Sequence, residues 1–289
     1  MTTMRRRREF YLQLGLTLLA CAFLIVPVVM SVVAGFTTNF FVGVRSGFTL
    51  RWVVEVWTLY SHTIFRSILI ALSCLAVTLV VGVPAAYVLA KRPGRVTRLV
   101  EEFLVLPVAI PGLATALALI IMYGTMREFR TSWLFILVGH VLYTLPFMIR
   151  SVLAVLTSID FRTLEEVAAS LGARFWRRFF TIIIPNVRSG IVAGSLTVVT
   201  LSIGEFNLSW MLHTPVTMTL PIGLADSYAS MRLEIGSAFT VIFFVMIVPL
   251  LVALQRYGTP RVRHRPRAQE ELKAAAPRAG APVPAKAPP

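Results

Sequence analysis

Charged residues are scarce in this sequence. Asp, Glu, Lys and Arg make up 14% of the 289 residues, whereas a soluble domain carries about 25%. Hydrophobic residues make up 57%, and they lie in long runs instead of the spaced stripes of a soluble core. The composition therefore excludes an ordinary soluble domain and predicts an integral membrane protein.

Cysteine and metal-ligand patterns are also nearly absent. The two cysteines, Cys21 and Cys74, fall inside apolar runs, which favours small buried side chains over a disulfide or a metal site. The four histidines are scattered without metal-ligand spacing. The sequence contains no Gly-x-x-x-x-Gly-Lys-Ser/Thr phosphate loop, so we expect the chain itself to bind no nucleotide and no other cofactor.

The net charge of +15 would suit a nucleic-acid-binding protein. The basic residues, however, lie at the ends of apolar runs and in the C-terminal tail, without interleaved aromatic residues for base stacking. We therefore attribute them to the excess of Lys and Arg on the cytoplasmic side of membrane proteins, and we expect no nucleic-acid partner.

Six apolar segments predict an all-α membrane domain over residues 10–257, because a span needs about 20 mainly apolar residues. They run Phe10–Phe36, Ile64–Ala90, Phe103–Gly124, Ser132–Leu156, Val187–Leu212 and Ile235–Tyr257. The first is too long for a signal-peptide core and is interpreted as an uncleaved anchor. Thr37–Thr63 is predicted to be a long outer loop, in which a short surface helix could lie.

The distribution of Lys and Arg predicts the orientation. With the N-terminus in the cytoplasm, 22 of the 28 basic residues fall on the cytoplasmic side, beginning with the basic N-terminus, residues 1–9. Both termini are then cytoplasmic. The tail, residues 258–289, is rich in Ala, Pro, Arg and Lys and lacks apolar periodicity, so it is predicted to be disordered.

Residues 160–186, between the fourth and fifth spans, differ from the other loops. Thr163 followed by Glu166 forms a capping-box pattern that predicts a helix start, and Gly172 can close that helix in the left-handed conformation. A second short helix is predicted to run until Pro185 interrupts it. The first helix is predicted to place its apolar residues on one face, namely Leu164, Val167, Ala168 and Leu171.

On these patterns alone, two helices lying in the membrane interface are an equally good interpretation. The motifs add a resemblance. Glu166–Ala168, Gly172 after three further residues, and Ile182–Pro185 resemble the EAA loop of ABC importer permeases, with Val in place of one Ala and Ile in place of the Leu. Leu106–Gly112 and Ser202–Phe206 resemble the spermidine/putrescine, sulfate, molybdate and phosphonate branch of that family.

The resemblance implies the type I ABC importer permease (MetI-like) fold, with six transmembrane helices and two short cytoplasmic coupling helices. It implies a multi-pass protein of a bacterial inner membrane, in contact with membrane lipid. The implied partners are an ATP-binding subunit pair that holds ATP and Mg, a second permease subunit (a sister chain or a copy) and a periplasmic substrate-binding protein. The residues carried over to ATPase coupling are Glu166, Ala168, Gly172, Ala173, Arg174, Arg177, Arg178 and Pro185. The arginines have an alternative interpretation as ordinary positive charge on the cytoplasmic side.

Polar residues in the fourth and fifth spans are candidates for the translocation path, because ionisable groups in a membrane usually face the bundle interior or a water-filled cavity. The candidates are Glu205, Asn207, Ser202, Tyr143 and His140. A structural hydrogen bond is the alternative for Glu205, and an interhelical hydrogen bond for His140. Pro111 and Gly112 interrupt the third span and are expected either to shape a pore or only to kink the helix.

An acid in the path favours a cationic or zwitterionic solute. We therefore expect a small polar solute such as a polyamine or an aminoalkylphosphonate, while an anion such as sulfate stays open because the Gly-Glu-Phe motif also occurs in anion permeases of the resembled family. The predicted function is transport and not enzymatic catalysis, with ATP hydrolysis on a separate subunit. The alternative is a secondary active transporter without an ATPase partner, for which the sequence offers no convincing internal repeat.

Overall fold

The computed structural model describes residues 2–258, and the predicted disordered tail lies outside them apart from Gly258. The described residues are helical except for short connections and an isolated β-bridge between Thr37 and Phe48. The helices are α1 (Thr2–Ala34), α2 (Arg51–Lys91), α3 (Arg95–Ala109), α4 (Gly112–Tyr123), α5 (Arg127–Thr131), α6 (Trp133–Ser158), α7 (Phe161–Ser170), α8 (Phe175–Arg178), α9 (Ile184–Asn186), α10 (Arg188–Gly204), α11 (Asn207–Leu212), α12 (Leu220–Ala229) and α13 (Leu233–Gly258). A π-helical turn, Phe179–Ile183, joins α8 to α9, and 3-10 turns occupy Gly43–Ser46 and Pro215–Thr217.

Four helices, α1, α2, α6 and α13, are long and apolar enough to cross a membrane. Two further pairs meet the same test but are bent, α3 with α4 by 99° and the α8–α9 segment with α10 by 72°. Counting each bent pair as one span gives up to six spans within the described residues. This architecture agrees with the predicted all-α membrane fold.

The third predicted span, Phe103–Gly124, is not one straight helix. The chain turns at Ile110, which is extended (φ −81°, ψ 134°), and α4 begins only after Pro111. A residue before proline is driven away from helical geometry, and proline lacks the amide that would continue the helix. The fifth predicted span is broken as well, because α10 ends at Gly204 and Glu205 is extended before α11 begins.

The predicted outer loop Thr37–Thr63 is also wrong in extent, because α2 already begins at Arg51. The added turns bury Val56, which packs in one cluster with Phe239 of α13, and Trp52 Nε1 donates to the Thr37 carbonyl at 3.0 Å. These contacts with distant residues stabilise a helix over residues 51–63, which the hydropathy pattern had placed in a loop. The resulting helix has 41 residues and a length of about 60 Å.

Small residues let α10 approach α6 closely. A Cβ added at Gly190 would lie 2.6 Å from the Ser151 carbonyl oxygen, and one at Gly194 would lie 2.8 Å from Met148 Sδ. The Gly-x-x-x-Gly spacing is therefore used for helix packing, as in other membrane helix pairs. α2, α6 and α10 pack against one another and form the centre of the bundle.

Candidate functional site

The coupling loop, residues 160–186, begins with a helix cap at Asp160, three residues before the predicted cap at Thr163. The Asp160 carboxylate accepts from the Thr163 amide at 3.3 Å, so α7 starts at Phe161. The prediction of Thr163 as the cap is wrong, because the acid three positions earlier already satisfies that amide. The hydrogen bonds from Thr163 also lower the pKa of Asp160.

The glycine turn lies where it was predicted. Gly172 has φ 80°, the left-handed region that favours glycine. Its amide donates to the Ala169 carbonyl at 2.9 Å, and the Ala173 amide donates to the Ala168 carbonyl at 3.0 Å. This pair of bonds is a Schellman closure, and it fixes the angle at which the chain leaves α7.

Pro185 does not end the second helix of the loop. The helical course continues through the π turn and α9 to Asn186, and the chain bends at Val187. The wider π turn ends two residues before Pro185 and includes the carbonyl of Thr181, against which α-helical geometry would bring the proline ring. Pro185 itself sits in the first turn of α9, where no amide donor is needed.

α7 has an inward and an outward face, and its apolar residues are divided between them. Ala168 is buried, whereas Leu164, Val167 and Leu171 are 44%, 55% and 83% exposed. The four side chains follow the predicted helical spacing, but they do not form one buried stripe, because only Ala168 packs inward. The inward face consists of Phe161, Glu165 and Ala168, and Glu166 is exposed on the other side.

The predicted arginines are divided in the same way. Arg174 and Arg177 are exposed beside Trp176, which is 67% exposed. Arg178 turns inward instead, and its Nη1 lies 3.6 Å from Glu165 Oε1. The outward face of the loop is thus apolar and edged by an acid and two bases, and Arg178 belongs to a different group.

That group, the Glu165 cluster, consists of Glu165, Tyr87, Lys91 and Arg178. Glu165 Oε1 accepts from Tyr87 Oη and from Lys91 Nζ, both at 2.8 Å, and its side chain is 6% exposed. Burial alone raises the pKa of Glu165, but the hydrogen bonds and the positive charges of Lys91 and Arg178 outweigh it, so its pKa lies below the usual value. No local pattern marks this cluster, because Tyr87 and Lys91 come from α2, more than 70 positions before Glu165.

The two helix breaks meet in space and form what we call the helix junction, residues 110–112 with 205–207. A Cβ added at Gly112 would lie 3.3 Å from Asn207 Cβ and 3.7 Å from Glu205 Oε1. The two motifs that resembled the permease branch therefore touch each other. Broken helices at such a place bring backbone groups and polar side chains into a region that is otherwise apolar.

Glu205 is half-buried at the helix junction and caps α11. Its Oε1 accepts from the Leu208 amide at 2.8 Å, and Tyr143 packs against the hydrophobic cluster that contains Leu208. Asn207 is exposed beside it. These three predicted path residues share one region, although the carboxylate of Glu205 also has a structural bond.

His140 and Ser202 form a separate, buried part of the predicted path. His140 Nδ1 is 2.8 Å from Ser202 Oγ, and Nε2 is 2.8 Å from Ser209 Oγ, so one imidazole joins the helices on both sides of the break. This arrangement matches the interhelical alternative for His140. Ser209 was missed because nothing local to it marks a partner on α6.

The family comparison agrees with this geometry. Residues 80–264 match the family described as "Binding-protein-dependent transport system inner membrane component", and the chain belongs to it. It is therefore a transport permease subunit of an ABC importer, built as a multi-pass membrane protein. Membership in this family implies ATP-binding and substrate-binding partner proteins.

Several curated relatives belong to the predicted branch. The chain is 27% identical over 268 residues to "Sulfate transport system permease protein CysW" of Synechocystis, covering 87% of this chain and 95% of that protein. It is 27% identical over 228 residues to the "Putative 2-aminoethylphosphonate transport system permease protein PhnV" of Salmonella typhimurium, covering 77% and 80%. It is also 27% identical over 218 residues to "Putrescine transport system permease protein PotI" of Escherichia coli K12, covering 71% and 75%.

Proposed function

We propose that this permease moves a small polar solute bearing an amine, either a polyamine or an aminoalkylphosphonate, and that a separate ATP-binding subunit pair drives it. A periplasmic binding protein delivers the solute, and a second permease subunit, a sister chain or a copy, completes the pathway. ATP and Mg are held by the partner subunits. Both termini of this chain lie in the cytoplasm.

The outward face of the coupling loop supports ATPase docking. Leu164, Val167 and Leu171 expose apolar surface next to charged Glu166 and the two outward arginines. An exposed apolar patch with a polar rim is typical of a protein interface. Of the residues carried over from the family, Glu166, Arg174 and Arg177 are the proposed partner contacts, because their side chains are exposed. Gly172, Ala173 and Pro185 would set the course of the backbone between them.

Glu205 is the observation on which the solute class rests. Glu205 is half-buried where two broken helices meet, with Asn207 exposed beside it and Tyr143 packed against the cluster that contains Leu208. A carboxylate in such a site attracts a cation and disfavours a pure anion. The relatives named for 2-aminoethylphosphonate and putrescine support an amine-bearing solute, because both compounds contain an amine. The relative named for sulfate supports the competing class of solute, an anion without an amine.

Uptake by the reconstituted complex tests the proposal. Putrescine, 2-aminoethylphosphonate and sulfate are supplied separately, with ATP as the energy source. We expect ATP-dependent uptake of an amine-bearing solute, and we expect Glu205→Gln to lower that uptake more than it lowers complex assembly. Uptake of sulfate alone would contradict the solute class, and uptake driven by an ion gradient without the ATP-binding subunits would support a secondary transporter instead.

A further inference from the structure

Two side chains, one helical turn apart, fasten α7 to the last turn of α2. Glu165 binds Tyr87 and Lys91 as described, and Arg162 Nη2 donates to the carbonyl oxygens of Ala90 at 3.1 Å and Lys91 at 3.3 Å. The carbonyls at the end of a helix have no partner within the helix, so Arg162 satisfies groups that α2 leaves open. α7 is thereby fixed to α2 by an ion pair between Lys91 and Glu165 and by hydrogen bonds from Arg162 to backbone carbonyls.

Aromatic rings enclose the same point of attachment. The Tyr87 ring packs edge-on or tilted against Phe161, Phe175 and Phe179, with ring centroids 6.3, 6.1 and 5.6 Å away. These rings come from both helices of the coupling loop and from the π turn. The Glu165 side chain is only 6% exposed at this point, and its low exposure to water strengthens its bonds to Lys91 and Tyr87.

α2 runs from this attachment to the opposite end of the molecule. Near its first turns, Glu55 Oε1 pairs with Arg232 Nη2 at 3.0 Å, and Arg232 Nη1 donates to Tyr60 Oη at 2.9 Å. Between the two ends, α2 packs closely on α6, where Cβ at Gly82 would lie 2.9 Å from Met148 Cγ. A single helix therefore connects the coupling loop to the segment before α13.

We propose that Glu165 is a positioning residue that forces α2 to move with the coupling loop. The inference rests on the proposed ATP-driven function. Moving the coupling loop away from α2 would take the buried Glu165 carboxylate from Lys91 and from the Tyr87 hydroxyl, and would leave it only Arg178, which moves with the loop. Breaking a buried ion pair in this way is more costly than moving the loop and α2 together. Adjacent acids then have opposite tasks, because Glu166 faces the ATP-binding subunit while Glu165 faces α2.

The test uses the whole complex of this chain, its second permease subunit and the ATP-binding subunits in lipid nanodiscs. Cys21→Ser and Cys74→Ser remove the native thiols, and Asn207→Cys places a reporter thiol at the helix junction. The labelling rate of that thiol by a membrane-impermeant maleimide is measured with and without ATP plus orthovanadate, so no solute is needed. The amount of ATP-binding subunit retained is measured on the same samples.

We expect ATP plus orthovanadate to change the labelling rate in the parent chain, and Glu165→Gln to reduce that response roughly tenfold with the retained ATP-binding subunit unchanged. Lys91→Met should act like Glu165→Gln, whereas Lys91→Arg, which keeps the charge, should preserve the response. Glu102→Gln removes an exposed acid from α3 and should have no effect.

A full response in Glu165→Gln overturns the inference and leaves the proposed function standing. Loss of the ATP-binding subunit from Glu165→Gln also overturns it, because the residue would then act in docking or folding. A parent chain that retains no ATP-binding subunit overturns the proposed function, and the inference with it.

Discussion

The coupling loop connects the fourth and fifth spans, and the helix junction interrupts the third and fifth. The two regions are built differently. The coupling loop is one contiguous segment whose turn depends on the left-handed Gly172, and the added Cβ of a substituted residue there would meet nothing within 4 Å. The helix junction is assembled from two distant segments, and it leaves little room at Gly112, where an added Cβ would lie 3.3 Å from Asn207 Cβ.

Under the proposed function, the coupling loop receives the motion of the ATP-binding subunits, and the helix junction controls the passage of the solute. A contiguous segment with an exposed outer face can move as a unit when a partner binds it. A junction between distant segments changes only when the packing of whole helices changes. Substitutions in the first region should therefore alter coupling at a small cost in stability, and substitutions in the second should alter both stability and transport.

Gly112→Leu should have the largest effect. The new side chain would collide with Asn207 and Leu208, and overpacking at such a contact costs about 3 kcal/mol. We expect uptake by the reconstituted complex to be lost while the ATP-binding subunit stays bound. Gly204→Ala is the matched control, because its Cβ meets nothing within 4 Å at the same junction. Normal uptake by Gly112→Leu would show that the junction does not control transport.

His140→Leu should come next. It leaves the buried hydroxyls of Ser202 and Ser209 without their imidazole partner, at a cost of about 2 kcal/mol. The measurement is the melting temperature of the protein in detergent. Thr200→Ala, which removes an exposed hydroxyl bonded only within α10, is the control and should melt as the parent does. Equal melting of both variants would contradict a role for His140 in joining the helices.

Gly172→Trp should cost less in stability, about 1 kcal/mol, because the strain lies in the backbone and there is room for the side chain. We expect lower transport and weaker ATPase coupling, with membrane insertion unchanged. Gly172→Asn should be milder, since asparagine adopts the left-handed conformation more readily. A transport rate equal to the parent's in Gly172→Trp would mean that the turn does not set the coupling geometry.

Acid pH should have the smallest effect, and comparison with Glu165→Gln isolates the part of that effect that comes from the Glu165 cluster. The folded-state pKa of Glu165 lies below its usual value, so its contribution to stability is present above the unfolded pKa, about 4.3, and is lost as the pH falls through the lower folded-state pKa. The melting temperatures of the parent and Glu165→Gln should differ at pH 7 and converge as the pH falls below 4. A constant difference across that range would rule out titration of Glu165 as the cause.

Local sequence patterns predicted the glycine turn of the coupling loop correctly, but they misplaced the start of its first helix and the end of its second. Gly172 was predicted correctly because left-handed closure depends on one residue and the helix before it. The cap was misplaced because Asp160 and Thr163 both suit that position, and only the folded chain shows which side chain reaches the amide. Pro185 was expected to end the second helix of the loop, but the helical course continues to Asn186 because a π turn precedes the proline.

Long-range contacts account for what the sequence could not show. The breaks at Pro111 and Glu205 each have a local cause, but their meeting at Gly112 depends on how the bundle packs. The extension of α2 to Arg51 depends on burial of Val56 against α13. Nothing local distinguished Glu165 from Glu166, because the partners of Glu165, Tyr87 and Lys91, lie more than 70 positions away.

Photo-cross-linking at Leu171 tests the central claim most directly. This side chain is 83% exposed at the end of α7, so a photoreactive amino acid in its place reports what covers the coupling loop in native membranes. The account predicts a cross-link to the ATP-binding subunit. Cross-links to lipid alone would make the two helices interfacial membrane helices and would contradict an ATPase-driven role for the loop.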